Sequence, residues 1–144
     1  MVLDRITTRM PSCRAEVCVA DIRGAAPWAA ALIALGWTPH VVAIRDWITG
    51  HHQGHSSVDA RLIDIRPLRD HRLQRLVAER VSATGTPTVL LGDAAHDQDL
   101  ARRLRAIALL PPTFALDELD RALDQARALA PRPWRSSGSA LPRC

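Results

Sequence analysis

Three aspartates stand where an apolar run stops, the place at which a carboxylate in an α/β protein can meet a cation or a substrate. Asp21 follows Val17-Cys18-Val19-Ala20, Asp64 sits near the end of Arg61-Leu62-Ile63-Asp64-Ile65, and Asp93 follows Thr88-Val89-Leu90-Leu91-Gly92. A carboxylate so placed can also cap the next helix by accepting from its first backbone N–H groups. His51, His52 and His55 add imidazoles, the first and last at a spacing that a helix would bring to one face. They stand in a Gly-flanked polar stretch with only Asp46 and Asp59 nearby, so a solvated loop is expected there. Cys13, Cys18 and Cys144 match neither a disulfide framework nor a zinc knuckle and read as free thiols. Cys18 is the small buried hydrophobe of its strand, and Cys144 is a tail residue.

The elements that must position these groups follow from apolar runs alternating with amphipathic stretches. Strands are expected at 17–20, 41–44, 61–65, 88–91 and, more weakly, 108–110. Pro27 opens a first helix that Gly36 closes, and residues 45–49 can make one or two turns. Leu73, Leu76, Val77 and Val81 place a helix over 69–83, and Leu100, Leu104 and Ile107 place another over 97–106. The last helix shows Leu116, Leu119, Leu123, Ala126 and Leu129 on one face and ends at Pro131. Five continuous apolar strands alternating with five helices predict an α/β domain, a parallel sheet covered on both faces, with function at the carboxyl ends of the strands.

The bulk numbers agree with one such domain: 144 residues, 47% hydrophobic and 24% charged, are ordinary for a single globular core. No apolar run approaches the ~20 residues that span a bilayer. The first fifteen residues carry Asp4, Arg5, Arg9 and Arg14 without a signal-peptide block, so a cytoplasmic protein is expected. The net charge of +4 is dispersed among acids, as in Arg69-Asp70 and Asp120-Arg121, and does not predict nucleic-acid binding. All nineteen basic residues are arginine. Segments 1–15 and 131–144 flank the expected domain, residues 16–130, and the Pro-, Ser- and Arg-rich tail has the composition of a disordered segment.

From about Glu16 to Ala130 the chain resembles the receiver domain of bacterial response regulators, of the chemotaxis-regulator type. Val17-Cys18-Val19-Ala20-Asp21, Arg61-Leu62-Ile63-Asp64-Ile65-Arg66-Pro67, Pro87-Thr88-Val89-Leu90-Leu91 and Phe114-Ala115-Leu116-Asp117-Glu118-Leu119 carry the resemblance. It implies a flavodoxin-like, five-stranded (βα)5 architecture. It also implies an acyl phosphate on the third-strand aspartate, a pair of acids after the first strand that hold Mg²⁺, a hydroxyl after strand four, an aromatic on strand five and a lysine after it.

Carried over position by position, Asp64 matches the phosphoacceptor and Asp21 one acid of the metal pair. The other positions depart. Ala20 and Ile22 flank Asp21, Gly92 replaces the hydroxyl residue, Leu109 the aromatic and Pro112 the lysine, and the chain has no lysine at all. The resemblance with these losses implies a pseudo-receiver, a non-enzymatic module of two-component signalling that acts by protein–protein contact and needs no cofactor. Mg²⁺ enters only if Asp64 is phosphorylated by a histidine kinase, the second reading; a small flavodoxin-like enzyme is the third. A rhodanese-like reading fails because Gly92-Asp93-Ala94-Ala95-His96 lacks a cysteine, and Ile22-Arg23-Gly24-Ala25-Ala26 is a poor flavin phosphate cradle. The expected partners are a histidine kinase or an output protein, and a second copy of the chain. The homodimer would pair Arg102, Arg103 and Arg105 with Asp117, Asp120 and Asp124 across the surface of helix four, strand five and helix five.

Overall fold

The computed structural model describes residues 13–50, 58–66 and 68–129. Strands β1 (Arg14–Val19), β2 (Thr38–Ala43), β3 (Ala60–Asp64), β4 (Thr88–Leu91) and β5 (Ala108–Leu110) form one sheet. Helices α1 (Ala26–Ala34), α2 (Ile44–Thr49), α3 (His71–Thr84), α4 (Ala94–Arg103) and α5 (Leu116–Leu129) alternate with them, and a 3-10 turn over Ile22–Ala25 leads into α1. Every pairing is parallel and the strand order is β2-β1-β3-β4-β5. This is the parallel sheet that the residue pattern predicts, in the flavodoxin-like architecture that the resemblance implies. The histidines at 51, 52 and 55, Pro67 and the tail lie outside the described residues.

Alternate side chains of each strand feed two cores, because successive residues point to opposite faces. Val17, Val19, Leu62, Val89 and Leu91 pack with Trp28 and Leu32 of α1 and Leu119 and Leu123 of α5. Cys18, Ile63 and Leu90 pack on the other face with Trp47 of α2, Val77 and Val81 of α3, and Leu100 of α4. The α5 stripe is narrower than its leucines suggest: Leu119, Ala122, Leu123 and Ala126 are buried, whereas Leu116 and Leu129 overhang the ends of the sheet and are exposed.

Three elements start three residues earlier than the residue pattern places them, each for a local reason. β1 begins at Arg14 and so includes Glu16, which pairs in register with Arg61 of β3. β2 begins at Thr38 and contains Pro39, tolerated because β2 is an edge strand. α4 begins at Ala94 instead of 97, because the Asp93 side chain caps it by accepting from the Ala95 N–H. The helix then ends with Arg105 at φ 55°, the left-handed position that glycine usually fills.

The expectation of three free thiols is corrected at Cys13. Cys13 is buried and disulfide-bonded; Cys18 is free. Spacing along the chain could not reveal this, since pairing depends on where the fold places each thiol.

Candidate functional site

The carboxyl ends of β1 and β3 frame a cleft of about 430 Å³ lined by Val19, Ala20, Asp21, Gly24, Asp64 and Arg66. The fold thus brings together the two aspartates that the sequence singled out. Asp64, the last residue of β3, is only 7% exposed. A buried carboxylate needs hydrogen-bond donors, and Arg66 supplies all those found. Its backbone N–H (3.1 Å) and Nε (2.9 Å) reach Oδ1, and its Nη2 reaches Oδ2 at 2.6 Å. The hydrogen bond to Asp64 raises the Arg66 guanidinium above its ordinary pKa. The same guanidinium lies 6.0 Å from the ring of Trp28, which stacks on Phe114 at 5.2 Å.

Asp21 is held the same way. Its Oδ1 accepts from the Arg23 backbone N–H (3.0 Å) and Nε (3.2 Å), and its Oδ2 from Arg23 Nη2 (2.9 Å). These bonds keep the Asp21 carboxyl below the usual carboxylate range. Asp-Ile-Arg therefore occurs twice, at 21–23 just after β1 and at 64–66 where β3 ends, and these two strands pair. Both arginines were missed as site residues, although this repeated tripeptide is the signal that would have found them.

Mg²⁺ takes a near-octahedral set of oxygens and dehydrates reluctantly. Here two carboxylates face the cleft, and both oxygens of each accept from the arginine two residues on. No group of three or more His, Cys, Asp or Glu suited to a metal ion occurs among the described residues. These residues do not fit the ion.

Gly92 ends the fourth strand against a closed wall. A Cβ there would lie 2.6 Å from Asp97 Oδ2 and 3.0 Å from Ile65 Cγ1. Asp97 is fixed by accepting the Asp93 N–H at 2.7 Å, while Asp93 Oδ1 accepts the Ala95 N–H at 2.9 Å, a reciprocal cap at the start of α4. Hydrogen bonds from His96 and Ala95 hold the Asp93 carboxyl below its ordinary range. Asp93 thus caps a helix. Leu109 packs at the edge of the α2–α3–α4 core, and Pro112 stands in the turn after β5.

Several of the expected interface residues have partners inside the chain. Arg102 pairs with Asp99 (3.1 Å), Arg103 bonds Gln74 (3.3 Å), Asp117 pairs with Arg121 (3.1 Å) and Asp124 with Arg127. Arg105 is exposed at the end of α4, and Asp120 is half-buried on α5.

A second ionic cluster lies within the sheet. Glu16 Oε1 accepts from Arg61 Nε at 2.8 Å, both side chains being about 5% exposed or less, and Arg61 Nη1 donates to Thr84 Oγ1 at 2.9 Å. Arg61 and Arg80 both lie over the Trp47 ring, at 4.9 and 5.7 Å. Burial, with Glu16 nearby, pushes the Cys18 thiol far up.

Neither a protein-family model nor a curated protein sequence matches the chain. Solved structures do. A Burkholderia thailandensis protein described as a pilus assembly protein superposes at TM-score 0.70 with 19% identity, over 81% of this chain and 98% of that one. A response regulator receiver protein from Burkholderia phymatum gives 0.66 with 15% identity, over 84% and 100%. The receiver domain of a sensor histidine kinase from Pseudomonas aeruginosa PAO1, which has a magnesium ion coordinated in its active-site cleft, gives 0.63 with 20% identity, over 80% and 97%. The chain has the receiver fold over its described length. No helix among the described residues is long and apolar enough to cross a membrane.

Proposed function

We propose that the chain is a pseudo-receiver of two-component signalling in the cytoplasm, a non-enzymatic module that works through protein contacts without phosphorylation. The observation that carries this reading is the bidentate lock of Arg66 on Asp64. A phosphoacceptor carboxylate must present one oxygen to an incoming phosphoryl group while a cation offsets the added charge. Here both oxygens are committed to a guanidinium two residues away, which neutralises the existing charge and leaves none for a second. Asp97 adds support: its carboxylate lies against Gly92, where a receiver has a hydroxyl that binds phosphoryl oxygens, and so adds negative charge there.

Acetyl phosphate or beryllofluoride with Mg²⁺ is expected to leave the intact mass and the tryptophan fluorescence unchanged, and Asp64→Asn is expected to retain partner binding. A stable Mg²⁺-dependent adduct that disappears in Asp64→Asn would replace this reading by the second one, in which a histidine kinase phosphorylates Asp64. That reading draws on the placement of Asp64 beside Asp21 in one cleft. Histidine kinases, output proteins and a second copy of the chain are the proposed partners, the last through α4, β5 and α5.

A further inference from the structure

At the end of the sheet opposite the aspartate cleft, the last turns of α3, α4 and α5 meet the leads into β4 and β5 around a groove of about 320 Å³. Val81, Pro87, Leu104, Ile107 and Leu129 make its apolar walls, with Thr86 and Arg105 beside them. Ser82 lines this groove and also a shallow shelf along α3, whose other lining residues are Arg75, Ala78, Glu79 and Ala83. Shelf and groove therefore make one track. Arg75 and Arg105, one in each part, are exposed, and neither guanidinium has a hydrogen bond or an ion pair among the described residues. Arg102, Arg121 and Arg127, by contrast, are each paired within the chain. α3 sets Arg72, Arg75 and Arg80 against a single acid, Glu79. Arg105 also holds the left-handed φ of 55° that glycine adopts with less strain. A guanidinium thus stands where backbone geometry alone favours no side chain.

We propose, resting on the reading of the chain as a module of protein contact, that this track docks an acidic segment of a partner protein. The segment seats one large apolar side chain in the groove and sets carboxylates against Arg105 and Arg75. The planar fork of an arginine takes a carboxylate through two parallel N–H bonds. Both guanidiniums can do so without breaking a bond inside the domain. Arg75 precedes Ser82 by seven residues, about 10 Å along the helix, which three residues of extended chain cover at ~3.3 Å each. A segment with one apolar residue and acids on either side therefore reaches both arginines at once. The apolar anchor supplies most of the binding, as side chains buried in pockets do, and the carboxylates set its direction and register.

Nuclear magnetic resonance titration of the isotopically labelled full chain with the synthetic peptide Asp-Asp-Asp-Leu-Asp-Asp tests this, at the millimolar concentrations that so small a contact requires. The amide resonances of Ser82, Thr86, Arg105 and Ile107 should shift and saturate. Arg75→Ala and Arg105→Gly, the second of which keeps the backbone turn, should each weaken binding several-fold, and Glu79→Ala should strengthen it. Replacing the peptide's leucine by serine should weaken it by about tenfold. Silence of these four amides, or equal shifts with Lys-Lys-Lys-Leu-Lys-Lys, would overturn the proposal. Equal shifts with a thymidine oligonucleotide would overturn it in favour of nucleic acid. Shifts that grow with protein concentration alone would also overturn it, by showing that a second copy covers the track. The mass after acetyl phosphate reads only the aspartate cleft, so the pseudo-receiver reading and this docking surface fail separately.

Discussion

An aspartate gripped by the arginine two residues on is an intramolecular ion pair that must be dismantled before the carboxylate can do anything else. Arg66→Ala should therefore unmask Asp64, and the measurable consequence is Mg²⁺ affinity: isothermal titration should detect weak binding in Arg66→Ala and none in the wild type. Gly92 makes a second prediction. Gly92→Ala should cost about 1–3 kcal/mol by overpacking, and less in an Asp97→Ala background, where only the Ile65 side chain must give; urea unfolding reads both. The Glu16–Arg61 pair makes a third. Glu16→Gln leaves Arg61 buried without its counter-charge and should cost about 3–5 kcal/mol, whereas Glu16→Leu with Arg61→Met should cost much less. At this scale Asp21 and Asp64 were legible because strand ends are visible as the limits of apolar runs. Arg23 and Arg66 were marked only by the repeat of Asp-Ile-Arg, and the Glu16–Arg61 pair by nothing along the chain. The grip of an arginine depends on how the backbone turns after the strand, and the buried pair exists only once β1 is set beside β3.

At the scale of elements the helix ends explain where the pattern succeeded. α1 closes with Gly36 donating to the Ile33 carbonyl and Trp37 to that of Leu32, the paired bonds of a glycine-terminated helix. α4 closes with the same pair of bonds, from Arg105 to Arg102 and Ala106 to Ala101, but with arginine in the left-handed position. Arg105→Gly should relieve that conformation and raise stability by up to about 1 kcal/mol, since the strain of the L-residue is partly offset by glycine's greater freedom in the unfolded chain. Thermal unfolding followed by circular dichroism checks the sign. The Asp93 cap adds a pH dependence. A carboxyl whose folded pKa lies below its unfolded value stabilises fully above about pH 4 and loses that contribution as pH falls through the folded value. Asp93→Asn should accordingly flatten the fall of melting temperature below about pH 4. The pattern misplaced the start of α4 because Ala94, Ala95 and His96 carry no apolar period, and the cap that starts the helix is a polar contact which periodicity does not register. It placed β4 and β5 at their observed limits; β4 is an apolar run between Pro87 and Gly92, and β5 stops at Pro111.

For the whole molecule the order and alternation of elements were enough to predict the parallel sheet and its cleft, since a buried strand can be covered on both faces only by crossover helices. Oligomeric state was not so accessible. Sedimentation is expected to show a dimer that Arg102→Glu with Arg103→Glu weakens, and a concentration-independent monomer would remove that surface from the proposal. The pairing of Arg102, Asp117 and Asp124 within the chain means that such a dimer exchanges bonds as well as adding them, so its salt dependence should be shallow. The two margins of the sheet limit what else can bind. Thr38 donates to the Cys13 carbonyl, which turns its neighbour Pro39 toward the free side of β2, where the imino acid offers no donor. The other margin, β5, is three residues long. Both edges are therefore poor templates for a sixth strand, which favours recognition by side chains on helices and loops, in a language of shape and charge instead of backbone hydrogen bonds.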